Sequence, residues 1–168
     1  MIIKNSDWEL GAYLYEYNGD PITGVSRTNP ITLLSETFFQ NFTKAYINKK
    51  FFYFDLSKDT YFLKCNVNFI LRFYIRLRTE LNNSILSLTG YYTNPLQLKL
   101  KTIPELSVNV TANTPYNYRT INNLSQLPDS IIDKDNSFFI GVTSSSTDTI
   151  TFFNDLDGFY WSLLLRQI

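Results

Sequence analysis

Histidine is absent from these 168 residues, and cysteine occurs once, as Cys65. Without imidazole, neither a Ser-His nor a Cys-His nucleophile pair can form. A single cysteine excludes an intramolecular disulfide, and metal sites built on Cys/His clusters go with it. Alanine appears only at Ala12, Ala45 and Ala112, and glutamate is also scarce, so two strong helix formers are missing. The six glycines are scattered and form neither a GxGxxG nor a GxxxxGK phosphate loop. Nowhere is there a run of about 18 apolar residues, the length a membrane helix needs. The amino-terminal MIIKNSDWEL has no apolar signal core. Neither sign of charge dominates, because Lys+Arg 15 balances Asp+Glu 15. A whole-molecule footprint for nucleic acid or an acidic membrane is therefore missing.

What is present favours strands. The hydrophobic fraction is 44%, with 14 Phe and 12 Tyr, and asparagine and threonine are abundant. Aromatic and β-branched residues suit a pleated, half-buried surface, while asparagine suits turns. The length fits one domain with its own core, and no shift in composition divides residues 1–168.

Hydrophobic periodicity places the elements. In WELGAYLYEY, Trp8, Leu10, Ala12 and Leu14 alternate with Tyr13, Tyr15 and Tyr17, as a strand requires. Residues 29–48 read differently. Asn29 can cap, Pro30 suits a first helical position, and Ile31, Leu34, Phe38 and Phe42 recur at helical spacing. One amphipathic helix is expected over residues 30–48. From residue 50 the period is two: Lys50–Leu56, Tyr61–Thr79, Ile85–Tyr92, Leu96–Leu100, Val108–Ala112, Phe138–Val142, Thr149–Phe153 and Phe159–Arg166. The stretch Glu80–Ser84 reads as a hairpin connection, and residues 113–137 as irregular with one helical turn near Leu124–Ile132. Eight or nine short strands with one helix imply an all-β, mainly antiparallel fold. The expected architecture is a jelly-roll-like β-sandwich.

The arginines of CNVNFILRFYIRLRTE carry the first site candidate. Val67, Phe69, Leu71, Phe73, Ile75 and Leu77 share one strand face, while Arg72, Tyr74, Arg76 and Arg78 share the other. That second face is expected to be solvated, with its arginines paired to acids on a neighbouring strand. A subunit contact is the next reading, because arginine forms bidentate bonds and stacks on rings. Nucleic acid is the least favoured. The face of Tyr13, Tyr15 and Tyr17 is the second candidate, either packed on the helix or a neighbouring subunit, or stacking on sugar rings.

Other groups offer less. Cys65 falls on an apolar strand face as an inert thiol. Asp133 and Asp135 have alternate spacing found in calcium loops but lack the central Gly and the distal Glu. Asp155 and Asp157 fit a turn. The glutamates are dispersed, so no carboxylate pair of a glycosidase stands out. Expected catalytic residues, metal ligands and cofactors are therefore none.

The expected function is a non-enzymatic structural or assembly protein. Most concretely it is a viral or phage virion component, whether minor capsid, decoration, fibre or tail protein. Its partners would be other copies of itself and other virion proteins, without membrane and without nucleic acid. In general character the sequence resembles viral jelly-roll proteins at the level of class. Made complete in a host cytoplasm without a signal peptide, it would reside in the virion. The alternative is a lectin-like carbohydrate-binding sandwich, with a glycan as partner.

Overall fold

The computed structural model describes residues 8–65, 67–93, 99–121, 125–126, 138–153 and 160–167. Its strands, in chain order, are β1 (Glu9–Tyr17), β2 (Ile22–Val25) and β3 (Ile31–Thr32), followed by helix α1 (Glu36–Phe39). Then come β4 (Phe42–Ile47), β5 (Phe52–Asp55), β6 (Thr60–Leu63), β7 (Val67–Thr79), β8 (Ser84–Thr93) and β9 (Lys99–Val110). The last are β10 (Tyr116–Ile121), β11 (Ser125–Gln126), β12 (Phe138–Ser144), β13 (Asp148–Phe153) and β14 (Tyr160–Gln167). Among the described residues no helix is long and apolar enough to cross a membrane.

Two antiparallel sheets make a jelly-roll-like sandwich. The large sheet runs β2-β13-β7-β14-β1-β4, with β10 and β11 also paired to β7. The smaller runs β3-β12-β8-β9, and β5 with β6 form a separate hairpin. Strand β7 is the spine, and its alternation reads as the sequence implied. Val67, Phe69, Leu71, Ile75 and Leu77 are all fully buried. From the facing strands, Leu86, Leu88, Ile140 and Val142 join the same hydrophobic cluster. In β14 the inner positions are Trp161, Leu163 and Leu165, which are equally buried.

The expected helix over 30–48 does not form. Only Glu36–Phe39 is helical, between β3 and β4. Ser35 caps that turn, its hydroxyl accepting from Phe38 N at 3.2 Å. The Asn41 amide then donates to Thr37 O and Phe38 O, at 3.1 and 3.3 Å, and ends it. Ile31, Leu34, Phe38 and Phe42 are buried, so the helical spacing marked core residues correctly. Strand, helical turn and strand bury the same four. Pairing of Phe42–Ile47 with β1 outweighs local propensity, as tertiary context often does. Residues 113–137 are also more regular than expected, since β10 pairs with β7 from Tyr116 to Ile121.

Glu80–Ser84 is no hairpin. Strand β7 belongs to the large sheet and β8 to the smaller, so the chain crosses between sheets. The β9–β10 and β12–β13 connections cross as well, and the three passages are tied together. Asp148, 0% exposed, is the knot. Its carboxylate accepts backbone N–H groups of Glu80, Leu81 and Asn82, each at 3.0 Å, and of Thr149 at 2.8 Å. Ser84 Oγ donates to it at 3.2 Å. Asn113 N donates to Thr79 O at 2.7 Å, and Ala112 N to Asn83 Oδ1 at 2.8 Å. Nearby, the Thr151 hydroxyl and then the Arg78 guanidinium hold the Glu80 carboxyl below its ordinary value.

Asp148→Ala removes the shared acceptor and leaves buried donors unsatisfied. Loss of about 3 kcal/mol or more is expected, read as a lower urea midpoint at unchanged slope. A midpoint equivalent to wild type within about 0.5 kcal/mol would contradict this role.

Candidate functional site

The two candidate faces of the sequence are one face of the fold. Tyr15 lies opposite Tyr160, which lies opposite Tyr74, so tyrosines from β1, β14 and β7 form one cross-strand row. Lys44 extends that row on β4. The adjacent row is Tyr46, Tyr13, Ser162 and Arg72. Next to it stands an apolar row of Leu10, Leu164 and Ile70. On the other side Arg76 lies opposite Phe153, and Arg78 opposite Thr151. These positions all point away from the sandwich core, on the outer face of the large sheet.

Local contacts order the rings. Tyr13 and Tyr15 are nearly parallel, with centroids 6.3 Å apart and planes 7° apart. Tyr160 meets Tyr13 edge-on at 5.7 Å, and its hydroxyl shares a 2.9 Å hydrogen bond with Ser162 Oγ. Partial burial first, then Tyr160 and Tyr15, raise the Tyr13 phenol above its ordinary value. The Arg78 and Arg76 guanidinium groups lie 5.2 and 5.8 Å from the Phe153 ring centre, in cation–π range. Arg166 sits likewise over Trp8 at 4.8 Å.

Among the described residues, the strand positions directly opposite the arginines hold no acid. Arg72 faces Ser162 and Ile121, and Arg76 faces Asn117 and Phe153. Arg78 bonds a carboxylate, through Nε to Glu80 Oε1 at 2.8 Å. That acid lies two residues along the same chain rather than on a neighbouring strand. Among the described residues Arg72 makes no ion pair.

Two local irregularities decide which side chains reach this face. The β1–β14 register slips between Leu10 and Ala12, so Leu10 turns outward, 39% exposed, while Ala12 and Leu14 are buried. Glu16 has φ +65°, a conformation that non-glycine residues rarely take. Beyond it Tyr17 is buried rather than outward. Its ring packs on Phe42 and Phe152 at 5.3 and 5.0 Å, and its hydroxyl donates to Asp20 O at 2.7 Å. Tyr17 is a core residue, and the expected tyrosine face keeps Tyr13 and Tyr15 alone.

Tyr46, Tyr160, Phe153, Lys44, Leu164 and Ile70 were missed. Tyr160, Leu164 and Ile70 were legible, because they fill the outward positions of strands already recognised. Tyr46 and Lys44 were hidden by the helix assignment. Cys65 is half-buried, and burial pushes its thiol up, consistent with an inert thiol. Asp133, Asp135, Asp155 and Asp157 lie outside the described residues. Among the described residues no group of three His, Cys, Asp or Glu could hold a metal ion.

No protein-family model matches the sequence, and no curated protein matches it. Among solved structures the chain is similar to Eiger TNF from S. frugiperda, at 8% identity and a TM-score of 0.48. That likeness covers 95% of this chain and 93% of the other. It is also similar to the CBM22-1 and GH10 modules of Clostridium thermocellum endo-1,4-beta-D-xylanase 10B, complexed with xylohexaose. There the identity is 13% and the TM-score 0.38, over 96% of this chain, which spans only 29% of the other. The sandwich itself stands on the strand pairing described above.

Burial, then the Asp20 carboxylate, push the Tyr17 phenol from 10.0 up to about 12. A phenol harder to ionise when folded stabilises the native state fully below its unfolded value, and that contribution is lost as pH rises through the folded value. Tyr17→Phe keeps the ring and removes the ionisation. Denaturant midpoints should therefore fall less steeply from pH 10 to 12 in the variant, and parallel profiles would contradict the assignment.

Proposed function

We propose that the chain is a non-enzymatic assembly protein, a β-sandwich subunit of the kind from which viral or phage particles are built. Its contacts with other copies of itself, and with other virion proteins, run through the outer face of the large sheet. One observation carries this reading. Tyr13, Tyr15, Tyr74 and Tyr160 converge with Arg72, Arg76 and Arg78 on one continuous outer surface. Tyrosine and arginine are the residues that most often carry binding energy when desolvated at the centre of an interface. Their rings and planar forks offer large contact area at small entropic cost. Leu10 and Tyr46, 39% and 45% exposed, add apolar area of the sort that marks interaction sites.

A glycan-binding module is the second reading, and the near-parallel Tyr13 and Tyr15 rings support it. Sugar rings stack on such surfaces.

Size-exclusion chromatography with light scattering separates the two. Wild type should run as an oligomer, and Arg72→Glu should weaken association by roughly tenfold or more with an unchanged melting temperature. A wild-type oligomer indifferent to Arg72→Glu would remove this face from assembly. A monomer that binds glycans and loses them with Tyr13→Ala would favour the second reading.

A further inference from the structure

We propose that the chain assembles head to tail, with the tip of the β5–β6 hairpin of one copy seated on the tyrosine–arginine face of the next. This rests on the assembly reading above and names the surface that meets the face. The hairpin is paired from Phe52–Leu63 to Asp55–Thr60. Its base is anchored by Phe52 and Leu63, paired on one side, and by Phe62 on the other, all buried. Nearer the tip, on the Phe52 side, Phe54 is 37% exposed, and at the tip Leu56 is 83% exposed, the most exposed large apolar side chain described.

The tip is rigidly built. Asp55 Oδ1 accepts from Ser57 N at 3.0 Å and Ser57 Oγ at 2.6 Å. Lys58 N donates to Asp55 O at 3.2 Å, and Asp59 N to Leu56 O at 3.4 Å. The Asp59 carboxylate in turn accepts from Glu36 N at 3.1 Å, fastening the turn to α1. Leu56 is thus held out by an ordered turn, so docking it costs little further ordering. The Ser57 hydroxyl holds the Asp55 carboxyl below its ordinary value.

Charge selects the partner. Around the tip stand the carboxylates of Glu36, Asp55 and Asp59 against the single ammonium of Lys58. The opposing face presents Lys44 and Arg72, with Arg78 at its end already bonded to Glu80. An acidic knob with a leucine at its point therefore matches a basic aromatic face. Two copies of the face brought together would set cations against cations. At the other exposed apolar pair, Leu81 and Ile85, 64% and 43% exposed, the nearby carboxylates are already engaged, Glu80 by Arg78 and Asp148 by buried backbone donors. Knob and face are different surfaces of one chain, so the contact is heterologous and propagates into a ring or a filament.

Mixing two blocked variants tests this. Leu56→Lys removes the knob and Arg72→Glu removes the face, and each alone should be monomeric, association weakened by roughly tenfold or more. Combined at equal concentration, they should form a one-to-one dimer and nothing larger, because only one knob and one face remain complementary. The wild-type assembly should also dissociate as salt is raised. A mixture that stays monomeric overturns the head-to-tail contact. If Leu56→Lys assembles as wild type while Arg72→Glu does not, the knob is excluded and the assembly face survives. If Arg72→Glu assembles normally, or wild type is itself monomeric, the assembly reading fails with it.

Discussion

The Asp148 carboxylate is the constraint on which the sandwich depends. Two sheets are linked by chain segments that leave one and enter the other, and each passage exposes backbone groups that neither sheet can satisfy. Asp148 begins β13 and is fully buried, yet it accepts from Glu80, Leu81 and Asn82 of a different passage. A buried charge is tolerated only when hydrogen-bonded throughout, and five donors meet it here. The position of β7 is fixed at its Thr79 end by this knot. Because β7 is the strand to which β10, β11, β13 and β14 all pair, the breadth of the outer face follows from it.

That breadth explains the chemistry of the face. An edge strand presents side chains to one neighbour, whereas β7 and β14 sit inside the sheet and share rows with strands on both sides. A tyrosine on β1 therefore gains Tyr160 and Tyr74 in succession across the sheet. Diagonal and direct cross-strand contacts order the rings, and ordered aromatic rings lose little entropy on binding. The inner face of the same strands is apolar and buried, with Phe69 and Trp161 among aliphatic neighbours. Among the described residues Arg72 lies opposite Ser162 and Ile121, with no acid across the strands to cancel its charge.

Much of this was legible in the sequence because a strand has a period of two whatever it packs on. The alternation gave the core side correctly at Val67, Phe69, Leu71, Ile75 and Leu77, while the Phe73 side chain lies outside the described ones. Pairing between distant strands left no local trace, so the merger of the β1 tyrosines with the β7 arginines was not visible. Residues 30–48 misled because Ile31, Leu34, Phe38 and Phe42 satisfy a helical spacing by accident of a strand, a turn and another strand. Asn82-Asn83 signals a reversal of the chain, but a hairpin and an arch between sheets need the same polar residues. Tyr17 left its expected face because Glu16 takes a positive φ, which no propensity foretells. Asp148 lay unremarked beside a Ser/Thr loop, since burial rather than residue type gives it its role.

The outer face as the site of contact is most directly tested by side-chain oxidation footprinting of the assembled protein against its diluted monomer. Tyr13, Tyr15, Tyr46 and Tyr160 should be protected on assembly, while Tyr91, half-buried on the smaller sheet, should react alike in both states. Equal reactivity of the four face tyrosines in monomer and assembly would contradict the account.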